Sequence, residues 1–159
     1  MDLGGYIEYI KIKHNGQTRK QGTPYYMHPL KVSSILKEKG FSQEYQIVGL
    51  FHDLLEDTDT TYEDILKLTN EEIANAVKLL TKEKGYKMDE YIYRISNNNL
   101  AKMVKIADRI HNLSEAYMAS KSFQDKYIKE TIKWYLPLAK DTIFENDLKE
   151  ELEKLINIS

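Results

Sequence analysis

The segment His52-Asp53-Leu54-Leu55-Glu56-Asp57 places one imidazole and three carboxylates in six consecutive positions. On a helix, His52 and Glu56 lie four apart, as do Asp53 and Asp57, so the groups occupy neighbouring stripes of one face. In an apolar setting they repel or compete for protons unless a cation or solvent satisfies them. One reading is a helix end frayed into solvent, with His52 merely exposed. Against it, the helix dipole opposes negative charge at a C-terminus, and Leu54 and Leu55 keep this turn packed. Two distant segments offer partners. "MHPLKV" puts His28 at a helix start with Pro29 stiffening the turn, and "VKIADRIHN" puts Asp108 and Asn112 on one face of an apolar helix. Each alone has an ordinary reading: a surface or core histidine, and an aspartate paired with Arg109 or His111. Together, His28, His52, Asp53 and Asp108 give two imidazoles and two carboxylates, a set suited to a divalent first-row cation. An octahedral ion would keep two positions for a water and a phosphate oxygen, as metal-assisted phosphoester hydrolysis requires.

The elements that must carry these residues are helical. Hydrophobic spacing follows the helical period almost throughout, and strand-like alternation never persists, which predicts an all-α protein. Helices are expected over about 3 to 13 and 26 to 38, with the loop "HNGQTRKQGTP" between them and a stop at Gly40. A third, capped by Ser42, should run through Val48, Phe51 and Leu55 and be central, because it is apolar on most sides. "TTYEDIL", "TNEEIANAVKLLT" capped by Thr69 or Asn70, and "DEYIYRI" predict shorter helices. The long helix "LAKMVKIADRIHNLSEAY" follows the breaker "SNNN", and the region from about 123 reads as a helix kinked at Pro137 and a last amphipathic helix.

The whole-chain figures narrow the function classes. A length of 159 residues is expected to form one domain over 1–159 with a full core. With 23 Lys+Arg against 25 Asp+Glu, the bulk charge advertises neither a nucleic-acid nor a membrane partner. The absence of cysteine removes disulfides and thiol chemistry and leaves His, Asp and Glu as metal ligands. No basic-then-apolar leader or long apolar window is seen, so a soluble cytoplasmic protein is expected.

"HNGQTRKQGTPYYMHP", then "HDLLEDT", then "KIADRIHN", in this order, resembles the HD-domain hydrolases of the RelA/SpoT type, including small stand-alone alarmone hydrolases, over about residues 14 to 118. The resemblance implies an all-α HD bundle holding one metal ion, usually manganese, between His28, His52, Asp53 and Asp108. It further implies that Glu56 and Asp57 are the catalytic acidic pair that handles the attacking water. Arg19 and Lys20 match a basic pair used against the base and phosphates; their other reading is a solvated basic turn. Asn112 matches a residue that hydrogen-bonds the nucleoside, or else is a helix-surface amide. His14 and His111 also resemble family positions, but neither is assigned as a ligand.

The chain departs from the family after "ADRIHN", where Leu113, Ser114 and Glu115 replace Met-Arg-Thr, so a carboxylate stands where a hydroxyl contacts the nucleotide. The segment between the two halves also looks shorter. The expected activity is removal of the 3′-pyrophosphate from guanosine tetra- or pentaphosphate; alarmone synthesis is not expected, for want of length. The alternatives are an adenosine alarmone or the 2′-phosphate of NADPH as substrate, or an antitoxin-like nucleotide-binding partner protein. Oligomeric state is open, a homo-oligomer included.

Overall fold

A computed structural model describes residues 2–158. The all-α expectation holds: among the described residues the β pairing is an isolated antiparallel bridge between Thr18 and Pro24. No helix among them is long and apolar enough to cross a membrane. The chain divides into two compact units, residues 1–104 and 105–159.

The first unit contains α1 (Leu3–Lys13), α2 (Met27–Glu38), α3 (Gln43–Phe51), α4 (Leu54–Asp57), α5 (Tyr62–Leu68), α6 (Glu71–Leu80) and α7 (Met88–Ser96). It also holds the start of α8 (Asn99–Glu115), within which the division falls. Local chemistry sets the helix starts. Asp2 accepts from Gly5 N–H, Asn70 accepts from Ile73 N–H, and Thr61 with Asp64 forms a reciprocal capping box. Ser42 stands at the start of α3 as expected, but its side chain makes no capping bond. Gly40 takes φ +84°, a left-handed turn that ends α2 without the Cβ clash another residue would meet.

Helix α3 is central to this unit, and Val48, Leu50 and Phe51 are fully buried. Tyr6 and Tyr9 of α1 pack on the Phe51 ring with centroids 5.4 and 5.8 Å away. Gly49 lets α2 and α3 approach closely: a Cβ built there would lie 3.3 Å from Ser33 Cα and 3.1 Å from Leu36 Cδ1. The predicted continuous helix to Leu55 is corrected. α3 stops at Phe51, His52 and Asp53 form a turn, and α4 is a separate short helix. The His52 ring Nδ1 lies 2.6 Å from Gly49 O, so the side chain takes up a carbonyl that the helix end leaves without an intrahelical partner.

The second unit comprises the rest of α8, a 3₁₀ turn (Ala116–Met118), α9 (Lys121–Glu130), a π-helical turn (Thr131–Tyr135), α10 (Leu136–Ala139) and α11 (Glu145–Ile158). The kink expected at Pro137 takes the form of this π turn. Pro137 has no N–H to offer the preceding turn, and the helix widens just before it. Phe144, Leu148, Leu152 and Leu155 recur at helical spacing and are buried.

Gly49→Ala should lower stability by about 1–3 kcal/mol, because Ser33 offers backbone rather than a movable side chain at the contact. Gly4→Ala, at an exposed helix start, serves as the control. Thermal or urea unfolding of the two variants checks this, and equal stability would show that α2 can move away.

Candidate metal centre

His28 begins the second residue of α2, where its N–H donates to Tyr25 O (3.0 Å) and its ring is 2% exposed. His52, 4% exposed, stands in the turn after α3. The rings meet edge to face with centroids 5.3 Å apart. Both present Nε2 to one atom, Asp53 Oδ2: His52 at 3.1 Å and His28 at 3.9 Å. Because the His52 Nδ1–H donates to Gly49 O, Nε2 of the neutral ring carries the lone pair, the form a metal needs. Neighbouring ligands of an octahedral ion with bonds of about 2.1 Å lie about 3 Å apart, so the His52–Asp53 spacing fits such a set. The donor types and burial therefore suit a divalent cation. Sequence reasoning placed these three residues together, and they are together.

Tyr25 was not anticipated. Its hydroxyl donates to Asp53 Oδ2 at 2.7 Å, and its ring packs against His14 with centroids 5.0 Å apart. Gln17 was also missed: its Nε2 donates to Asp57 O (2.7 Å), which leaves Oε1 to accept from His14 Nδ1–H (2.9 Å). The loop between α1 and α2 thus braces the acidic turn at two points. The two tyrosines ahead of His28, in "PYYMHP", are the available signal, but tyrosines are common core residues. Arg19 and Lys20 sit at the tip of this loop, where Arg19 N–H donates to Thr23 O and Gly22 N–H to Arg19 O, each at 2.8 Å.

Glu56 and Asp57 lie on the exposed side of α4. Glu56 Oε1 accepts from Lys82 N–H, a contact between distant segments that no spacing in the sequence announces. The Asp57 carboxyl is raised above the usual aspartate range. Burial of its inner side is the main cause, followed by the charges of Asp53 and Glu56, while Tyr25 and His14 pull the other way.

In the second unit, Asp108 is 6% exposed on α8. Lys105 Nζ lies 3.2 Å from its Oδ2, and Asn112 Nδ2 donates to its Oδ1 at 3.2 Å, so Asn112 orients this carboxylate. Glu115, the departure from the family pattern, is turned to His111 Nε2 at 3.4 Å. Arg109 is held between the rings of Tyr127 and Tyr135, 3.8 and 3.9 Å from their centroids. Burial pushes the Tyr127 hydroxyl up to about 12, so it stays neutral beside the cation.

The HD domain family model matches residues 7–90, more than half of the chain, from within α1 through all of α2 to α6 and into the start of α7. The chain belongs to the HD-domain family. It is 34% identical over 170 residues to a guanosine-3′,5′-bis(diphosphate) 3′-pyrophosphohydrolase of Aquifex aeolicus, covering 94% of this chain and 24% of that one. It is 33% identical over 151 residues to a GTP pyrophosphokinase of Streptomyces coelicolor, covering 89% of this chain and 18% of that protein. The chain thus spans about a quarter or less of these curated relatives. Among solved structures it is similar to a metazoan ortholog of SpoT that hydrolyzes ppGpp and plays a role in starvation responses. That match has a TM-score of 0.79 and 25% identity, and covers 97% of this chain and 93% of that one. A Listeria monocytogenes protein shares the fold, with a TM-score of 0.62. HD domains bind divalent metals, and the buried imidazoles beside Asp53 are where this HD domain offers that chemistry.

In chelator-treated protein the raised Asp57 carboxyl predicts a pH-dependent effect. Folding disfavours its ionised form, so Asp57→Asn should stabilise at neutral pH, and the gain should fade as pH falls through the folded-state Asp57 titration. Tyr25→Phe should push that titration higher still, since Tyr25 lowers it, and should weaken Mn²⁺ binding about 10- to 100-fold by releasing Asp53. Carbon-detected NMR titration and calorimetry measure the two effects. An Asp57 titration at or below the ordinary aspartate range would contradict the reading.

Proposed function

We propose that this HD domain is a metal-dependent nucleotide phosphohydrolase, acting in the cytoplasm, that removes the 3′-pyrophosphate from guanosine tetra- or pentaphosphate. The observation that carries the proposal is the pair of buried imidazoles sharing one carboxylate, one helical turn before an acidic pair. The similarity to the Aquifex pyrophosphohydrolase and to the metazoan ortholog points to the substrate. His28, His52, Asp53 and Asp108 are the proposed ligands of one divalent ion, most naturally Mn²⁺. When bound, such an ion supplies Lewis acidity toward the phosphoryl oxygen and the attacking water.

The chain's own residues divide the remaining work. Arg19 presents a planar guanidinium to the base and Lys20 a point charge to the phosphates. Asn112, besides orienting Asp108, is proposed to reach the nucleoside. Glu56, fixed by Lys82 N–H, orients the water, and Asp57 takes its proton, because a carboxylate whose acid form is held above the usual range is the stronger base. The water oxygen bonds to phosphorus, the bond from phosphorus to the ribose 3′-oxygen breaks, and the 3′-oxygen leaves as a hydroxyl with the proton that Asp57 took from the water. The engagement of Glu115 by His111 favours the guanosine alarmone, since this carboxylate has a partner on its own helix.

With Mn²⁺ and a panel of guanosine 3′-pyrophosphates, adenosine alarmones and NADPH, the expected product is pyrophosphate from the guanosine substrates. Glu56→Gln should lower turnover about 10²-fold or more while leaving Mn²⁺ affinity nearly unchanged. Phosphate released from NADPH, with no pyrophosphate from any guanosine substrate, would overturn the substrate assignment.

A further inference from the structure

The first unit has a second concave site. The stretch Thr81–Lys87, with α6 on one side and α7 on the other, borders an open-sided hollow of about 600 Å³, a size typical of small-molecule sites. None of His28, His52, Asp53, Glu56, Asp57 or Arg19 lines it. Its walls carry Lys78, Lys84, Lys87 and Arg94 against Glu83 and Glu90, a local excess of positive charge in a chain whose net charge is -2. Among the described residues, Lys84, Lys87 and Arg94 enter no ion pair. Lysines of this kind on a convex surface are simply solvated. Here they converge from a loop and a helix on one hollow, where their fields add.

Rings stand beside the charges. Tyr91 is anchored by its hydroxyl donating to Leu80 O (2.7 Å), and Tyr86 packs on it with centroids 5.9 Å apart. Lys82 Nζ sits 5.3 and 5.5 Å from the two ring centroids, which steadies Tyr86 although that residue is 47% exposed. Gly85, at φ +79°, makes the turn that brings Tyr86 and Lys87 back to the cavity. Asn98 and Glu90 add a neutral amide and a hydroxyl- or amine-accepting carboxylate on the α7 side.

We propose that this cavity binds a phosphorylated, ring-bearing small molecule of the nucleoside phosphate class, at a site separate from the metal centre. Phosphates meet Lys84, Lys87 and Arg94; a flat base lies on the open part of the Tyr86 ring; ribose hydroxyls or base amines reach Glu90 and Asn98. A bare anion would leave the ring and the carboxylates unused, and an uncharged aromatic would leave the cations unused.

The test is an amide NMR titration of the isotope-labelled chain with ADP, using adenosine and pyrophosphate as the ring-only and phosphate-only probes. ADP should shift the Gly85, Tyr86 and Tyr91 amides saturably and bind about tenfold or more tighter than either fragment. Lys84→Glu with Arg94→Glu should weaken ADP about tenfold or more. Tyr86→Ala should weaken it about fivefold or more through lost stacking, and as a single exposed change it keeps the test valid if the double variant misfolds. Arg19→Ala should leave the shifts at these amides unchanged. Shifts confined to residues around His52 and abolished by Arg19→Ala would overturn the proposal. So would the absence of saturable change at millimolar ADP, or equal affinity for pyrophosphate. None of these readings depends on which nucleotide the metal centre hydrolyses.

Discussion

Two imidazole nitrogens face one carboxylate oxygen inside a protein interior, and the architecture around the end of α3 follows from holding them there. Burying charge is costly unless it is paired or coordinated, so each participant needs a second attachment. His52 has Gly49 O, Asp53 has the Tyr25 hydroxyl, and His28 is fixed by its place at the start of α2. The close approach of α2 to α3 at Gly49 sets the distance between the two rings. The break in the helix at His52–Asp53 serves the same end: a continuous helix would spend Gly49 O on a backbone bond and leave the ring tautomer undetermined.

The same constraint explains why a loop with little apolar content is cross-linked by hydrogen bonds. Tyr25 N–H donates to Gln17 O (2.9 Å), closing the loop on itself, and Gln17 and Tyr25 then reach the acidic turn with their side chains. Arg19 and Lys20 are carried on that loop, which gives the proposed nucleotide contacts a fixed base. In the second unit a different device orders the chain. Arg109, between two tyrosine rings, ties α8 to α9 and the π turn, so a residue beside a proposed ligand serves packing within its unit.

Much of this was legible in the sequence because the relevant periods are short. Helical spacing and capping residues located α1, α2, α5 and α6 to within a residue or two, and the HD pair with its acidic partners was visible as a conflict of charge with burial. The interruption between Phe51 and Leu54 was not legible, since His52 and Asp53 keep near-helical backbone angles and the hydrophobic pattern runs on through Leu54. Tyr25, Gln17 and the Lys82 amide escaped for another reason. Each acts across 26 to 40 residues of chain, and a tyrosine, a glutamine and a backbone N–H carry no distinguishing chemistry until the fold brings them to a carboxylate or carbonyl. Asn112 was read as a nucleoside contact; its bond to Asp108 shows that an amide one turn from a carboxylate also has a local use.

The central claim is that the imidazole pair and Asp53 are ligands rather than a buried ion pair. Anomalous diffraction at the manganese edge, from crystals of the protein grown with Mn²⁺, tests it most directly. The account predicts one strong peak per chain within coordination distance of His28 Nε2, His52 Nε2 and an Asp53 carboxylate oxygen, with Asp108 as the fourth protein ligand. A peak elsewhere, or its absence with His52 and Asp53 still in direct contact, would contradict it.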